Sequence, residues 1–116
     1  MNLGELIQAL KRCDQDKSVY FDFCRFAPGG LGSYRGFYEQ LSFEPIDNEA
    51  PKAKEVLEMC VSAVGKSFDG YKGGSYRMSE ETPIWVDRYG DCTSTKLVGL
   101  EEKSWAVILK TEFQDV

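Results

Sequence analysis

At 116 residues the chain is sized for one domain, residues 1–116, around a single hydrophobic core. Its 19 acidic and 14 basic residues give a net charge of −5, against the basic excess carried by a general binder of duplex nucleic acid or of a membrane surface. There is no histidine, which excludes Ser-His-Asp and Cys-His nucleophiles, histidine general bases and histidine metal ligands.

Residues 2–13 set Leu3, Leu6, Ile7 and Leu10 at helical spacing behind Asn2, a good N-cap, and predict an amphipathic helix. Asp14-Gln15-Asp16-Lys17 interrupts the pattern, and Val19 to Cys24 reads as an aromatic-rich strand. Ala27-Pro28-Gly29-Gly30-Leu31-Gly32-Ser33 has the composition of a flexible loop, after which Tyr34 to Phe43 resumes extended structure. A polar loop from Glu44 to Ala50 leads to Pro51, suited to the first turn of a second helix. On that helix Ala53, Val56, Leu57, Cys60, Val61 and Val64 form an apolar stripe, and Gly65 is the natural terminator.

Strands follow. Tyr76 to Met78 precedes a turn at Ser79 to Pro83, Ile84 to Tyr89 runs into Gly90-Asp91, and Thr95 to Leu100 pairs with Ser104 to Phe113 as a final hairpin. Two helices and five or six short strands, mostly hairpin-linked, predict an α+β fold with a mostly antiparallel sheet. The longest apolar run, Trp105 to Leu109, is far short of a membrane span, and the opening MNLGELIQALKRC lacks the basic start of a signal peptide. A cytoplasmic protein is expected.

Cys13, Cys24, Cys60 and Cys92 are widely spaced, with no Cys-x-x-Cys pair for zinc. Buried free thiols are the expectation, with no metal and no cofactor.

Three clusters join aromatic rings, positive charge and glycine. The first is SFDGYKGGSYR, residues 67–77, with Tyr71, Lys72, Tyr76 and Arg77. It is not a Walker loop, because Lys72 is followed by Gly73-Gly74 and then by a strand rather than by a helix. It lacks the dinucleotide fingerprint as well. The plainer reading is a glycine turn, with Gly73 at positive φ; the sharper one adds Lys72 and Arg77 as anion contacts and a tyrosine as a stacking face. The second cluster, around Tyr34 and Arg35 between Gly32 and Gly36, offers the side chain best suited to grip a phosphate through two parallel hydrogen bonds. Neither Arg35 nor Arg77 is expected in the core.

The third cluster runs from Trp85 to Thr95. Alternation puts Trp85, Asp87 and Tyr89 on one face and Val86 and Arg88 on the other, and the plainer reading makes Trp85 core. Thr93, Ser94 and Thr95 offer hydroxyls, and Asp91 can accept from a ribose or an amide. Asp87 and Asp91 make a poor acid–base pair, because nothing adjacent would raise a carboxyl pKa. These groups recognise a nucleotide-like anion and lack the means to cleave one, so a binder is expected rather than an enzyme.

The segments SYRGFYEQLSF and FDGYKGGSYRMSEETPIWVDRYGDCTSTKLVGL, with LIQALKRCDQDKSVYFDF, resemble a family of small proteins encoded by tailed bacteriophages. That family is similar to Thoeris anti-defence proteins, sponges that sequester cyclic ADP-ribose signals and, in some members, cyclic oligonucleotides. The resemblance implies a symmetric homodimer or higher homo-oligomer in the host cell cytoplasm that holds its ligand intact. It also implies ligand contacts from Arg35, Tyr76, Arg77, Arg88 and Asp91. Two other readings stay open. One is a protein-interaction inhibitor of a bacterial defence complex, of anti-CRISPR or anti-restriction type. The other is a small nucleotide hydrolase or transferase, disfavoured by the missing histidines.

Overall fold

A computed structural model describes residues 1–22, 26–34, 37–47, 49–69, 75–88 and 91–113. For 33–34, 37–40, 68–69, 75–76, 87–88, 91–94 and 113 the description is of the backbone alone. In chain order the elements are α1 (Leu3–Lys11), β1 (Ser18–Phe21), β2 (Ala27–Tyr34), β3 (Phe37–Ile46), α2 (Ala53–Ala63), β4 (Ser67–Asp69), β5 (Ser75–Arg77), β6 (Ile84–Arg88), β7 (Asp91–Glu102) and β8 (Ala106–Phe113). The fold is α+β. Six strands form one sheet in the order β1-β8-β7-β6-β3-β2, and β4 and β5 form a separate antiparallel ribbon. The pairs β1–β8 and β3–β6 are parallel and the others antiparallel.

Both helices begin where the sequence provides for their orphan amides. In α1, Asn2 Oδ1 accepts the Glu5 N–H at 2.8 Å and Glu5 Oε1 accepts the Asn2 N–H at 2.9 Å, a reciprocal cap. The next donors, Leu3 and Gly4, bond the Thr82 and Glu80 carbonyls. The first amides of α2, at Ala53 and Lys54, bond the carbonyls of Lys17 and Gln15, and Glu55 Oε1 accepts the Lys52 N–H.

The helices pack together on one face of the sheet. Leu3, Leu6, Leu10, Val56 and Cys60 meet Val19, Leu41, Phe43, Ile84, Val86, Leu97, Val107 and Leu109 in one core. The sheet curls around them until its two outer strands meet at one end, where the Phe21 N–H bonds the Phe26 carbonyl at 3.2 Å. Along the rest of its outer edge β1 is closed by the Pro51 carbonyl, which accepts the Val19 N–H. Where β1 stops, the Asp22 carboxylate takes over the edge of β8 by accepting the Thr111 N–H at 3.1 Å and the Thr111 hydroxyl.

Three expectations change. The segment expected as a flexible loop, 27–33, is strand β2, and β3 continues through Pro45 to Ile46. Gly29 is small for a packing reason: a Cβ there would collide with Ile46 Cγ2. The apolar stripe of α2 is only partly core, since Ala53, Val56, Cys60 and Ala63 are buried while Val61 and Val64 are exposed. Trp85 is half-buried on the side of the sheet away from the helices, and its neighbours Ile84 and Val86 are the core residues. No helix among the described residues is long and apolar enough to cross a membrane.

Candidate functional site

Within the segment 67–77, β4 and β5 pair antiparallel. Ser67 stands opposite Arg77, Phe68 opposite Tyr76 and Asp69 opposite Ser75. Tyr71, Lys72 and the Gly73 expected at positive φ lie outside the described residues. The ribbon is anchored to the end of α2. Gly65, at φ 77°, is the left-handed residue that stops the helix. Its N–H bonds the Met78 carbonyl at 2.8 Å, and the Met78 N–H bonds the Lys66 carbonyl at 2.9 Å.

Arg77 is exposed, as expected, but it is not free in solvent. Its Nη2 and Nε lie 3.7 and 3.9 Å from where a Cβ on Gly65 would stand. The last turn of α2 contains no basic residue of its own, so this guanidinium supplies the positive charge that a helix C-terminus favours.

The ribbon lies against the β2–β3 hairpin, β4 touching β2 and β5 touching β3. From β5 the chain passes through Met78–Pro83 into β6, and the Pro83 carbonyl accepts the Leu41 N–H at 3.1 Å. Tyr76 and Arg77 therefore sit beside the first half of β3, at the end of the sheet where Tyr34 pairs with Phe37. Arg35 follows Tyr34 directly and is outside the described residues. Two of the three clusters thus share one end of the molecule.

The third does not. β3 and β6 run parallel with Leu41 opposite Ile84 and Phe43 opposite Val86, so the paired Arg88 and Asp91 lie level with the far end of β3. The ten residues of β3 separate the two ends by about 30 Å at roughly 3.3 Å per residue. Of the eight expected contacts, Tyr34, Tyr76 and Arg77 accordingly lie on one side and Arg88 and Asp91 on the other, while Arg35, Tyr71 and Lys72 are outside the described residues. Thr95, expected among the hydroxyl donors, is 4% exposed on the helix side, where its Oγ1 has no hydrogen-bond partner among the described residues. A ligand at the surface cannot reach it.

Two grooves elsewhere hold none of these residues. One, about 550 Å³, runs along α1 beside Gly4, Gln8, Arg12 and Glu80. The other, about 390 Å³, lies between the outer strands beside Pro28, Gly29, Ile46 and Lys52. Among the described residues no three Cys, Asp or Glu side chains gather as a metal-binding group. Cys13 and Cys60 are free and buried, and burial pushes the Cys60 thiol up to about 12. Cys24, and the side chain of Cys92, lie outside the described residues.

What sequence reading missed was the mate of β5: a three-residue strand gives almost no periodicity. The signal present was Gly65, which ends α2 and turns the chain toward its partner.

The chain is similar to the phosphoribosylamine–glycine ligases of Methanococcus vannielii and Methanocaldococcus jannaschii. Each is 31% identical over 94 residues, covering 76% of this chain and 19% of the ligase. The chain thus spans about a fifth of the length of the curated relatives it matches. No protein-family model matches, and no solved structure matches.

Proposed function

We propose that this protein binds a nucleotide-derived small molecule, a cyclic ADP-ribose isomer or a cyclic oligonucleotide, and holds it without cleaving it. The observation that supports the reading is the seating of the β4–β5 ribbon against β2 and β3, with Tyr76 and Arg77 at the end of the sheet that carries Tyr34. Arginine grips phosphate through paired charge-assisted hydrogen bonds, tyrosine offers a face to a base, and glycine lets backbone approach. The name of the similar ligases contains a phosphoribosyl compound, and ribose phosphate is also a building block of cyclic ADP-ribose and of cyclic oligonucleotides.

Sequestration of such a signal in the host cytoplasm is the anti-defence role that the resemblance to Thoeris anti-defence sponges implies, carried out by a homodimer or higher homo-oligomer. The test is retention. Purified protein is incubated with cyclic ADP-ribose isomers and with cyclic di- and oligonucleotides, desalted, heated and analysed by chromatography. One of them should co-elute with the protein and be recovered intact on heating. Retention of none contradicts the binding reading, and a cleaved product above a boiled control makes the protein an enzyme.

A further inference from the structure

We propose that the main chain of β2 at Leu31 and Ser33 reads the adenine edge of the bound nucleotide, an inference that rests on the binding reading above. Strand register fixes the direction of these backbone groups. The Leu41 N–H bonds the Pro83 carbonyl, so the backbone of Leu41, and that of Phe43 two residues on, points toward β6. Leu41 stands opposite Ser33, Ser42 opposite Gly32 and Phe43 opposite Leu31. Opposed residues in an antiparallel pair alternate between bonding each other and facing away. Gly32 therefore bonds β3, while Leu31 and Ser33 turn their N–H and C=O groups outward, where no strand follows β2 in the sheet. Among the described residues nothing beyond the β2–β3 ladder bonds those groups.

The rest of the sheet's outer edge is occupied or blunted. The carbonyls of Pro51 and Phe26 close β1, and the Asp22 carboxylate closes β8 at Thr111. The start of β2 is protected by Pro28, which has no N–H, and by the register shift between Pro28 and Leu31. What stays open is the short stretch from Leu31 to Ser33. It is too brief for an added strand and suits one flat ring.

On that stretch the Leu31 carbonyl and the Ser33 N–H are neighbours, an acceptor beside a donor. Adenine, the base of cyclic ADP-ribose, presents the complement: an amino donor beside a ring-nitrogen acceptor. Glycine clears the approach, since a Cβ at Gly30 or at Gly32 would meet nothing within 4 Å. The pair directly precedes Tyr34, at the end of the sheet where β4 touches β2 and β5 brings Arg77 beside β3. One ligand can thus place its base on β2 and its phosphate toward Arg77.

Calorimetric titration with ADP-ribose and with etheno-ADP-ribose, whose etheno bridge removes the amino hydrogens and blocks the ring nitrogen, tests the proposal alongside thermal melting. The wild type should bind ADP-ribose, and should bind the etheno form roughly tenfold more weakly. Ser33→Pro deletes an outward N–H where an edge strand tolerates proline, so it should melt near the wild type and lose roughly tenfold in ADP-ribose affinity. Gly32→Pro deletes a ladder donor and should melt well below both. Equal affinity for the two nucleotides, unchanged affinity in Ser33→Pro, or a Ser33→Pro melting temperature as low as that of Gly32→Pro would each overturn it. So would a wild type that does not bind ADP-ribose. Retention of a cyclic nucleotide by the wild type, beside any of those results, leaves the broader binding reading standing.

Discussion

The guanidinium of Arg77 lies over Gly65, with Nη2 3.7 Å from the position a Cβ would occupy there. One side chain therefore serves the end of α2 and the proposed ligand site together. Arg77→Ala should cost up to about 1 kcal/mol of stability through the lost charge at the helix C-terminus. Arg77→Lys should recover that stability but not ligand affinity, because a lysine cannot present two parallel donors to a phosphate. Gly65→Ala, at φ 77°, should cost about 1–2 kcal/mol, read as a lower urea midpoint at unchanged slope. Equal melting temperatures for all three and the wild type would remove Arg77 from the end of α2.

Gly29 and Gly30 are neighbours in β2 with opposite surroundings. A Cβ at Gly29 would collide with Ile46 Cγ2 and stand 3.2 Å from the Glu44 carbonyl, whereas nothing lies within 4 Å of one at Gly30. Gly29→Ala should destabilise by about 1–3 kcal/mol and Gly30→Ala should be nearly neutral or stabilising. Adding Ile46→Ala to Gly29→Ala should make the second change less costly than it is alone. Additive costs in that cycle would show that the two residues do not compete for the same space.

The Glu102 carboxylate accepts the Asp14 N–H at 2.8 Å and pairs with Lys17 at 3.1 Å, joining the end of α1 to the β7–β8 hairpin. The backbone bond first, and then the lysine, hold its pKa below the ordinary 4.5. A depressed carboxyl stabilises fully above its unfolded value and loses that contribution as pH falls through the folded one. The melting-temperature gap between wild type and Glu102→Gln should therefore be widest near neutrality and close on acidification. A gap that stays constant with pH would count against it.

Burial raises the Cys60 thiol from 9.0 to about 12. At pH 8 roughly one thiol in ten thousand is then ionised, and the thiolate is the form that reacts. Peptide mapping after iodoacetamide treatment should find Cys60 unlabelled in the native protein and labelled in guanidinium. With the folded value raised, the neutral thiol's contribution is complete below about pH 9 and is lost as pH climbs toward 12. Equal labelling rates in native and unfolded protein would contradict the buried environment.

Local chemistry made the helices legible. Asn2 and the spacing of Leu3, Leu6, Ile7 and Leu10 specify α1, and Gly65 ends α2 where expected. The strands were legible where hydrophobic alternation is long, as in β8, and hidden where glycine and proline crowd an edge strand, as in β2. What the sequence could not reveal was pairing between distant segments. The parallel contacts Ser18↔Ala106 and Leu41↔Ile84 carry no turn signal, and they decide which clusters meet. Tyr34 and Arg77 come to one end through that register, while Arg88 and Asp91 go to the other. Val61 and Val64 match the helical period of the core residues yet face solvent, because periodicity gives the direction of a stripe and not its width.

Isothermal titration of the retained nucleotide signal into wild type, Arg35→Ala, Arg77→Ala and Arg88→Ala tests the binding site most directly. A charge-assisted contact to phosphate is worth about 1.5–3 kcal/mol, so the first two variants should each bind roughly ten- to a hundred-fold more weakly. Arg88→Ala, at the far end of the sheet, should bind as the wild type does. Undiminished affinity in both Arg35→Ala and Arg77→Ala, or a loss confined to Arg88→Ala, would contradict a site at the β4–β5 ribbon.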